Sequence, residues 1–224
     1  MAGPGDAVKT ALWSLEQRLP EGARMRLLCH RRRGHWAQAG VIFVHVPKAA
    51  GTSISHLLYG RSLGHLPAVA IRRHCPVLWS DLPSFAVMRA PLERALSAWR
   101  FARQGGTSLA GIGREGRERA GQSDFAGFVD GYLSQIDLDR ADPVFRPQAH
   151  YLCDAAGEML PDAVFPFDRL DLLRDWLRAR LGRAVSLPAL NRSDAGEERC
   201  DPTLRKRIEA LYAQDVDLYA RVSA

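Results

Sequence analysis

One stretch of 19 residues, VIFVHVPKAAGTSISHLLY at 41–59, constrains the fold more than any other part of the chain. Its first four residues, 41–44, are all apolar, without the polar alternation of a half-exposed strand. Such a run is typical of a strand that is buried on both faces, as in a central parallel sheet. Pro47 ends the predicted strand, and Gly51 allows close approach of the backbone. The stretch therefore predicts a strand, a tight loop and a helix.

The second half of this stretch has the pattern of a helix start. Thr52 and Ser53 are residue types that cap helices, and Ile54, Leu57 and Leu58 follow at the spacing of a packed helical stripe. The N-terminus of a helix has backbone N–H groups without intrahelical partners, and these groups favour an anion. We therefore expect an anion-binding loop between this strand and this helix.

A second strand, turn and helix are predicted at 85–101. The apolar run 85–88 ends at Arg89, and Pro91 is well placed to open a helix, because proline fits the first helical position. Open α/β sheets bind their ligands at the carboxyl ends of their strands. Each of the two strand–helix units places a cation after the carboxyl end of its strand, Lys48 in the first unit and Arg89 in the second.

The remaining segments complete the prediction of an α/β fold with a central parallel sheet flanked by helices. A third strand and helix are expected at 164–181, and a closing helix begins at Leu204. Residues 103–123 read as a loop or a weak helix. We predict two parts, an N-terminal helical extension at 1–40, which begins with an amphipathic helix at 7–19, and one α/β domain at 41–224.

Composition excludes several classes of protein. The chain is 46% hydrophobic and carries a net charge of +6, which favours an anionic partner. Only three of its 31 basic residues are lysines, a bias that often reflects genome composition, and nucleic acid is not the expected partner. We find neither a bilayer-length apolar run nor a signal peptide. Four scattered cysteines, Cys29, Cys75, Cys153 and Cys200, indicate neither a zinc site nor a disulfide framework, and a cytoplasmic location is expected.

The loop differs from the nucleotide-binding P-loop, G-x-x-x-x-G-K-[ST], because Lys48 precedes Gly51. Its order P-K-x-x-G-T-S resembles the loop with which sulfotransferases bind the 5′-phosphosulfate of 3′-phosphoadenosine 5′-phosphosulfate (PAPS). The segment FAVMRAPLERALSAWRF at 85–101 resembles their 3′-phosphate-binding segment, in which an arginine is followed by a serine eight residues later, here Arg89 and Ser97. The resemblance implies a P-loop-like three-layer sulfotransferase fold and a PAPS-dependent enzyme that requires no metal.

The resemblance also implies a set of donor-binding residues. Lys48 would act at the leaving oxygen as a catalytic group. Ala49 departs from the family pattern, because many members have threonine or another small polar residue there. The residues implied to bind PAPS, and its product adenosine 3′,5′-bisphosphate, are Pro47, Lys48, Ala49, Ala50, Gly51, Thr52, Ser53, Arg89 and Ser97.

A base is needed to take the proton of the acceptor, and histidine titrates near neutral pH. His65 is the first candidate, because related carbohydrate sulfotransferases have a catalytic histidine in a similar Gly-His setting. His45 is either a base or a core histidine bonded to backbone, and His74 is the second candidate. Asp81 and Glu93 are acidic alternatives without motif support.

The acceptor is expected to be a carbohydrate, or a glycosylated or other small molecule, with a hydroxyl group. The segment 147–152 resembles the carbohydrate-type sulfotransferases, and the loop 187–193, where Asn191 or Arg192 is expected to reach the nucleotide or the acceptor, also resembles the family. His65, His74, Gln148 and His150 are the predicted substrate-binding residues. An equal alternative makes Gln148 a cap or a partner of backbone groups.

Two other functions remain open at this point. One is a nucleotide-dependent small-molecule kinase, which Mg-ATP turnover would identify. The other is a non-catalytic nucleotide- or polyanion-binding protein, in which Lys48 would affect binding only. Neither stable membrane insertion nor nucleic-acid binding is expected, and the pattern leaves the oligomeric state open.

Overall fold

The computed structural model describes residues 19–106, 112–182, 185 and 201–224. Its elements, in chain order, are α1 (Glu21–Ala39), β1 (Ile42–Val44), α2 (Gly51–Tyr59), α3 (Ala68–His74), α4 (Pro76–Asp81), β2 (Ser84–Met88), α5 (Pro91–Arg103), α6 (Arg114–Gln122), α7 (Phe125–Gly131), a 3-10 turn (Leu133–Gln135), α8 (Ala149–Leu152), β3 (Ala163–Pro166), α9 (Leu170–Leu181), α10 (Pro202–Leu211) and α11 (Ala213–Ser223). The predicted helix at 7–19, apart from Leu19, and the predicted loop at 187–193 lie outside the described residues.

The sheet has three parallel strands in the order β1-β2-β3, with Phe43 paired to Phe85 and Ala86 paired to Val164. Every residue of β1 and β2 is buried, as their apolar runs predict. β1 is an outer strand of the described sheet, and β2 is the central one. The Tyr59 hydroxyl forms hydrogen bonds with backbone groups at this strand. It accepts from the Phe43 N–H at 2.8 Å and donates to the Val41 carbonyl at 3.1 Å. The α/β class is confirmed, while the three-layer arrangement stays a prediction.

Several helices begin and end where the sequence predicts. Pro91 is the first residue of α5, and Gly182 closes α9 in the left-handed region at φ 63°. Within the segment predicted as a loop or weak helix, residues 114–122 form the regular helix α6. The turn chemistry of proline and glycine explains why these boundaries are readable from the sequence.

The details of α2 differ from the prediction. Its N-cap is Ala50, and Thr52 and Ser53 lie inside the first turn instead of capping it. Leu57, predicted to be packed, is 38% exposed, because the inward face of the helix carries Gly51, Ile54, Ser55 and Leu58. A stripe with a glycine and a serine at two of its four positions is hard to recognise from apolar periodicity.

Two hydrophobic clusters hold the described elements together. One surrounds the sheet and includes the fully buried Cys29 and Trp36 of α1, and the other joins α5, α7 and α10 around Trp99 and Phe128. The helix α1 thus packs into the same cluster as β1, and the predicted boundary at residue 40 stays a prediction.

Two further features concern the chain as a whole. Cys29, Cys75 and Cys153 are free and buried. Among the described residues, no helix has the length and apolar character required to cross a membrane. The expected cytoplasmic location stays a prediction.

Candidate functional site

The carboxyl ends of the three strands meet at one edge of the sheet. β1 leads into the turn at 45–50, β2 leads directly to Arg89, and β3 leads to Phe167, whose N–H donates to the Met88 carbonyl at 2.7 Å. Because β1 and β2 are parallel neighbours, the turn and Arg89 are adjacent. The sequence prediction that Lys48 and Arg89 lie at the same edge is therefore confirmed.

The turn before α2 has an unusual backbone. Lys48 and Ala50 are the two described non-glycine residues with positive φ, at 66° and 62°. Such conformations cost on the order of 1–3 kcal/mol each and concentrate at ligand-binding sites. Left-handed residues within a tight turn point successive backbone N–H groups to one side, which makes a concave anion-binding surface.

The first turn of α2 adds further donors to this surface. The first hydrogen bond of the helix runs from the Ile54 N–H to the Ala50 carbonyl at 3.3 Å. The N–H groups of Gly51, Thr52 and Ser53 precede that bond and belong to the helix N-terminus, whose dipole favours an anion. The geometry of the turn and of the helix is suited to a phosphate group.

A glycine is needed at position 51 because a side chain there would collide with a neighbouring residue, and not because of its backbone φ angle. A Cβ atom built on it would lie 1.7 Å from Cδ2 and 1.9 Å from Nε2 of His45. The imidazole of His45, which is 5% exposed, thus packs directly against the start of α2. The structure thus gives Gly51 a packing role against this ring, while the predicted close approach of its backbone to a ligand stays a prediction.

We expect Gly51→Ala to destabilise the protein by about 1–3 kcal/mol, because the new methyl group displaces the His45 ring within a packed core. The melting temperature should fall by about 2–12 °C. Gly34→Ala is the matched control, since a Cβ at Gly34 meets nothing within 4 Å in α1. That control should be neutral or stabilising, because alanine is the better helix former. An unchanged melting temperature for Gly51→Ala would show that the His45 ring moves freely.

Lys48 contacts an aromatic ring and is influenced by a second cation. Its Nζ atom lies 4.2 Å from the ring centroid of Phe101 on α5. Burial, and then the Arg89 guanidinium, lower the pKa of Lys48. Two cations that repel each other in a partly desolvated site are stabilised when anionic groups bind beside them.

Arg89 is the second cation of this edge. Its side chain is 17% exposed and lies over the ring of Phe167, 4.6 Å from Cζ to the centroid. Its Nε atom is 3.5 Å from a carboxylate oxygen of Glu93, which is itself 61% exposed. An exposed pair of this length contributes little, so most of the guanidinium's capacity for a bidentate anion is retained.

Ser97 lies on the face of α5 that points to both cations. Glu93, Ser97 and Phe101 are spaced by four residues, so they form one row along the helix. Glu93 at one end of the row contacts Arg89, and Phe101 at the other end contacts Lys48. The half-buried Ser97 between them therefore faces the site, which spacing alone did not establish.

His65 lies on the chain between α2 and α3, with its ring against that of His45 at a centroid distance of 4.1 Å. Its Nδ1 atom is 3.2 Å from the His45 carbonyl oxygen. Because a carbonyl oxygen only accepts, Nδ1 carries the proton and Nε2 of the neutral ring has the free lone pair. Burial lowers the pKa of His65, the hydrogen bond to His45 raises it, and Arg32 and Lys48 lower it further. The ring is thus a neutral acceptor at physiological pH.

Arg32 approaches the same place from α1. Its guanidinium lies beside Gly64, with Nη2 3.4 Å from where a Cβ would stand. The residue shares the inward face of α1 with the fully buried Cys29 and Trp36, which directs it toward the domain. A cation from the predicted extension therefore borders the candidate base, which the sequence reading did not anticipate.

The other candidate bases are placed less favourably. His45 is buried, as the alternative of a core histidine predicts, but its Nδ1 atom has no hydrogen bond among the described residues, so that atom forms no bond to backbone. Burial and His65 lower the pKa of His45 well below its ordinary value. His74 is the last residue of α3, roughly 10 Å along the axis from the start near His65. Asp81 precedes the amino end of β2, at the opposite edge of the sheet.

The two residues predicted from the segment 147–152 have different surroundings. Gln148 is 0% exposed, with Oε1 accepting from the Arg89 N–H at 3.0 Å and Nε2 donating to the Arg89 carbonyl at 2.8 Å. The alternative prediction, that Gln148 bonds backbone groups, is therefore confirmed. Because the residue is fully buried, its amide is not accessible to a substrate. His150 is half-buried with Nε2 3.3 Å from Nη1 of Arg146, and its substrate contact stays a prediction.

Sequence reasoning missed a buried polar pair behind Arg89. Asp215 of α11 is 0% exposed and accepts from the backbone N–H groups of Gln148 at 2.8 Å and Ala149 at 2.9 Å. Arg94 of α5, at 1% exposed, lies 3.9 Å from Asp215. Burial raises the pKa of Asp215, and Arg94 opposes that shift. The signal for this pair in the sequence was a charged residue at an inward-facing position of each helix, Arg94 in α5 and Asp215 in α11.

Among the described residues, no group of three or more His, Cys, Asp or Glu side chains is arranged to hold a metal ion. The expectation that no metal is required stays a prediction.

Comparison with known proteins gives one match. The model of a protein family described as "Sulfotransferase family" matches residues 37–220, which is most of the chain and includes the turn, Arg89, Ser97 and Asp215. No curated protein and no solved structure shows a significant similarity to the chain.

Proposed function

The chain belongs to the sulfotransferase family, and from that premise we propose that it transfers a sulfuryl group from PAPS to a hydroxyl of a carbohydrate, or of a glycosylated or other small-molecule acceptor. The strongest support is the pair of cations at the carboxyl ends of neighbouring parallel strands. Lys48 and Arg89 lie close enough for Arg89 to lower the pKa of Lys48. A ligand with two separate anionic groups matches this arrangement.

PAPS carries one phosphate at each end of its ribose, and the residues of the site fit both. On the 5′ side, the turn from Pro47 to Ala50 offers its concave backbone, and the N–H groups of α2 complete the set of donors. On the 3′ side, Arg89 offers a forked donor and Ser97 a hydroxyl on the facing row of α5. The loss of a polar side chain at Ala49 leaves these backbone donors in place.

Transfer requires stabilisation of charge and removal of one proton. The acceptor oxygen forms a bond to sulfur while the bond from sulfur to the 5′-phosphate oxygen breaks, and adenosine 3′,5′-bisphosphate leaves. Lys48 neutralises the charge that develops on that phosphate oxygen. Nε2 of His65 takes the proton of the acceptor hydroxyl, while its Nδ1–H stays bonded to the His45 carbonyl. His74 and His150 remain proposed contributors to the acceptor side.

The alternatives predict different ligands. A small-molecule kinase would need Mg-ATP, and the order of Lys48 and Gly51 differs from the P-loop that such enzymes use. A non-catalytic nucleotide- or polyanion-binding protein would use the same cations without turnover.

Calorimetric titration tests the proposal without knowledge of the acceptor. We expect adenosine 3′,5′-bisphosphate to bind more tightly than ADP or ATP, with the same affinity in the presence and absence of magnesium, because Arg89 would be left unpaired by nucleotides without a 3′-phosphate. Magnesium-dependent binding of ATP without preference for the bisphosphate would overturn the proposal in favour of a kinase. Tight bisphosphate binding would justify an acceptor screen with PAPS, and absence of turnover with every acceptor would favour the non-catalytic alternative.

A further inference from the structure

A buried chain of polar groups connects α11 to the backbone of Arg89. The Asp215 carboxylate accepts hydrogen bonds from the backbone N–H groups of Gln148 and Ala149 at the start of α8. The side-chain amide of Gln148 then forms two reciprocal hydrogen bonds with Arg89, at 3.0 Å to its N–H and 2.8 Å to its carbonyl. Two segments that are distant in sequence, the start of α8 and α11, are thereby tied to the residue that follows β2.

Arg94 fixes the other side of this chain. Its Nη1 donates to the Val144 carbonyl at 3.1 Å and its Nη2 to the Arg146 carbonyl at 2.8 Å. The same guanidinium lies 3.9 Å from Asp215. The segment that carries Gln148 is therefore held by α5 through its carbonyl groups and by α11 through its N–H groups.

Stability alone does not account for these polar groups. Buried ion pairs are often no more stabilising than apolar residues of similar volume, and their best-attested use is to select one geometry. The geometry selected here is that of the Arg89 backbone. A guanidinium binds a phosphate well only when its fork is correctly oriented, and a fixed backbone reduces the conformational entropy lost on binding.

From these contacts we infer that Gln148 and Asp215 are positioning residues that set the preference of the site for nucleotides with a 3′-phosphate. Gln148 acts by fixing the Arg89 backbone, and Asp215 acts one step further away by fixing Gln148. This inference rests on the proposed function, because it assigns the 3′-phosphate to Arg89.

The test compares the dissociation constants of adenosine 3′,5′-bisphosphate and 5′-AMP, which differ only in the 3′-phosphate. Gln148→Met keeps an unbranched side chain of similar length and removes both bonds to Arg89. We expect it to weaken bisphosphate binding about 10-fold and to leave 5′-AMP binding unchanged. Tyr151→Phe is the control, because it removes a partly buried 2.8 Å hydrogen bond to the Pro143 carbonyl in the same segment. That control should preserve the ratio of the two constants.

Asp215→Asn provides a second, nearly isosteric variant should Gln148→Met fail to fold. It keeps one acceptor oxygen, so we expect a smaller loss of preference, about 3-fold. Equal weakening of both nucleotides, or an unchanged ratio in a folded variant, would overturn the positioning role. If the wild-type protein itself shows no preference for the bisphosphate, the proposed function fails together with this inference, whereas a wild-type preference that the variants retain defeats this inference alone.

Discussion

Lys48→Met is expected to reduce kcat by about 100- to 1,000-fold, the effect of removing one preorganised group that stabilises transition-state charge. Methionine keeps the apolar stem beside Phe101, where the Lys48 ammonium lies 4.2 Å from the ring centroid, and removes only the charge. Affinity for adenosine 3′,5′-bisphosphate should fall much less, because the turn and Arg89, which are proposed to bind the two phosphates, are unchanged. Single-turnover conversion of PAPS, with an acceptor found by screening, measures the effect.

Lys206→Met is the matched control for this substitution. Lys206 is exposed on α10, outside the site, so its replacement should change neither kcat nor bisphosphate affinity. If Lys48→Met weakened nucleotide binding and left turnover intact, Lys48 would be a binding residue only, and the charge on the leaving oxygen would have to be stabilised elsewhere.

The strand and helix units of the fold were predictable because their signals are local. Apolar runs without alternation mark β1 and β2, which are buried along their whole length. Pro91 marks the start of α5 for a steric reason that needs no tertiary information. Parallel pairing of neighbouring strands then brings Lys48 and Arg89 together, so the two cations of the site follow from sequence and topology.

The finer geometry of the site depends on contacts that no local pattern contains. The left-handed backbone of Lys48 and Ala50 contradicts the preference of both residue types, and only the surrounding structure imposes it. The direction of Ser97 became clear from its neighbours in the row, not from its distance to Arg89. Gln148 and Asp215 act over separations of 59 and 67 residues, which sequence spacing cannot reveal.

His65→Asn is expected to reduce kcat by about 100- to 10,000-fold, the contribution of a well-placed general base. Asparagine retains a donor for the His45 carbonyl, which accepts from His65 Nδ1 at 3.2 Å, and it lacks the basic nitrogen. Bisphosphate affinity should be unchanged, since the groups proposed to bind the phosphates lie on the turn, on α2, at Arg89 and on α5. His56→Asn, at an exposed position of α2, is the matched control and should have no effect.

The pH dependence provides a second measurement of the same residue. His65 accepts a proton only when neutral, so kcat/KM for PAPS should rise with pH through the pKa of this residue and then reach a plateau. Burial, Arg32 and Lys48 hold that pKa below the ordinary histidine value of 6.5, so the midpoint of the rise should lie below pH 6.5. His65→Asn should abolish this rise along with most of the turnover. Unchanged turnover, or a rise that persists in the variant, would remove His65 from the mechanism and transfer the role of base to another group on the acceptor side.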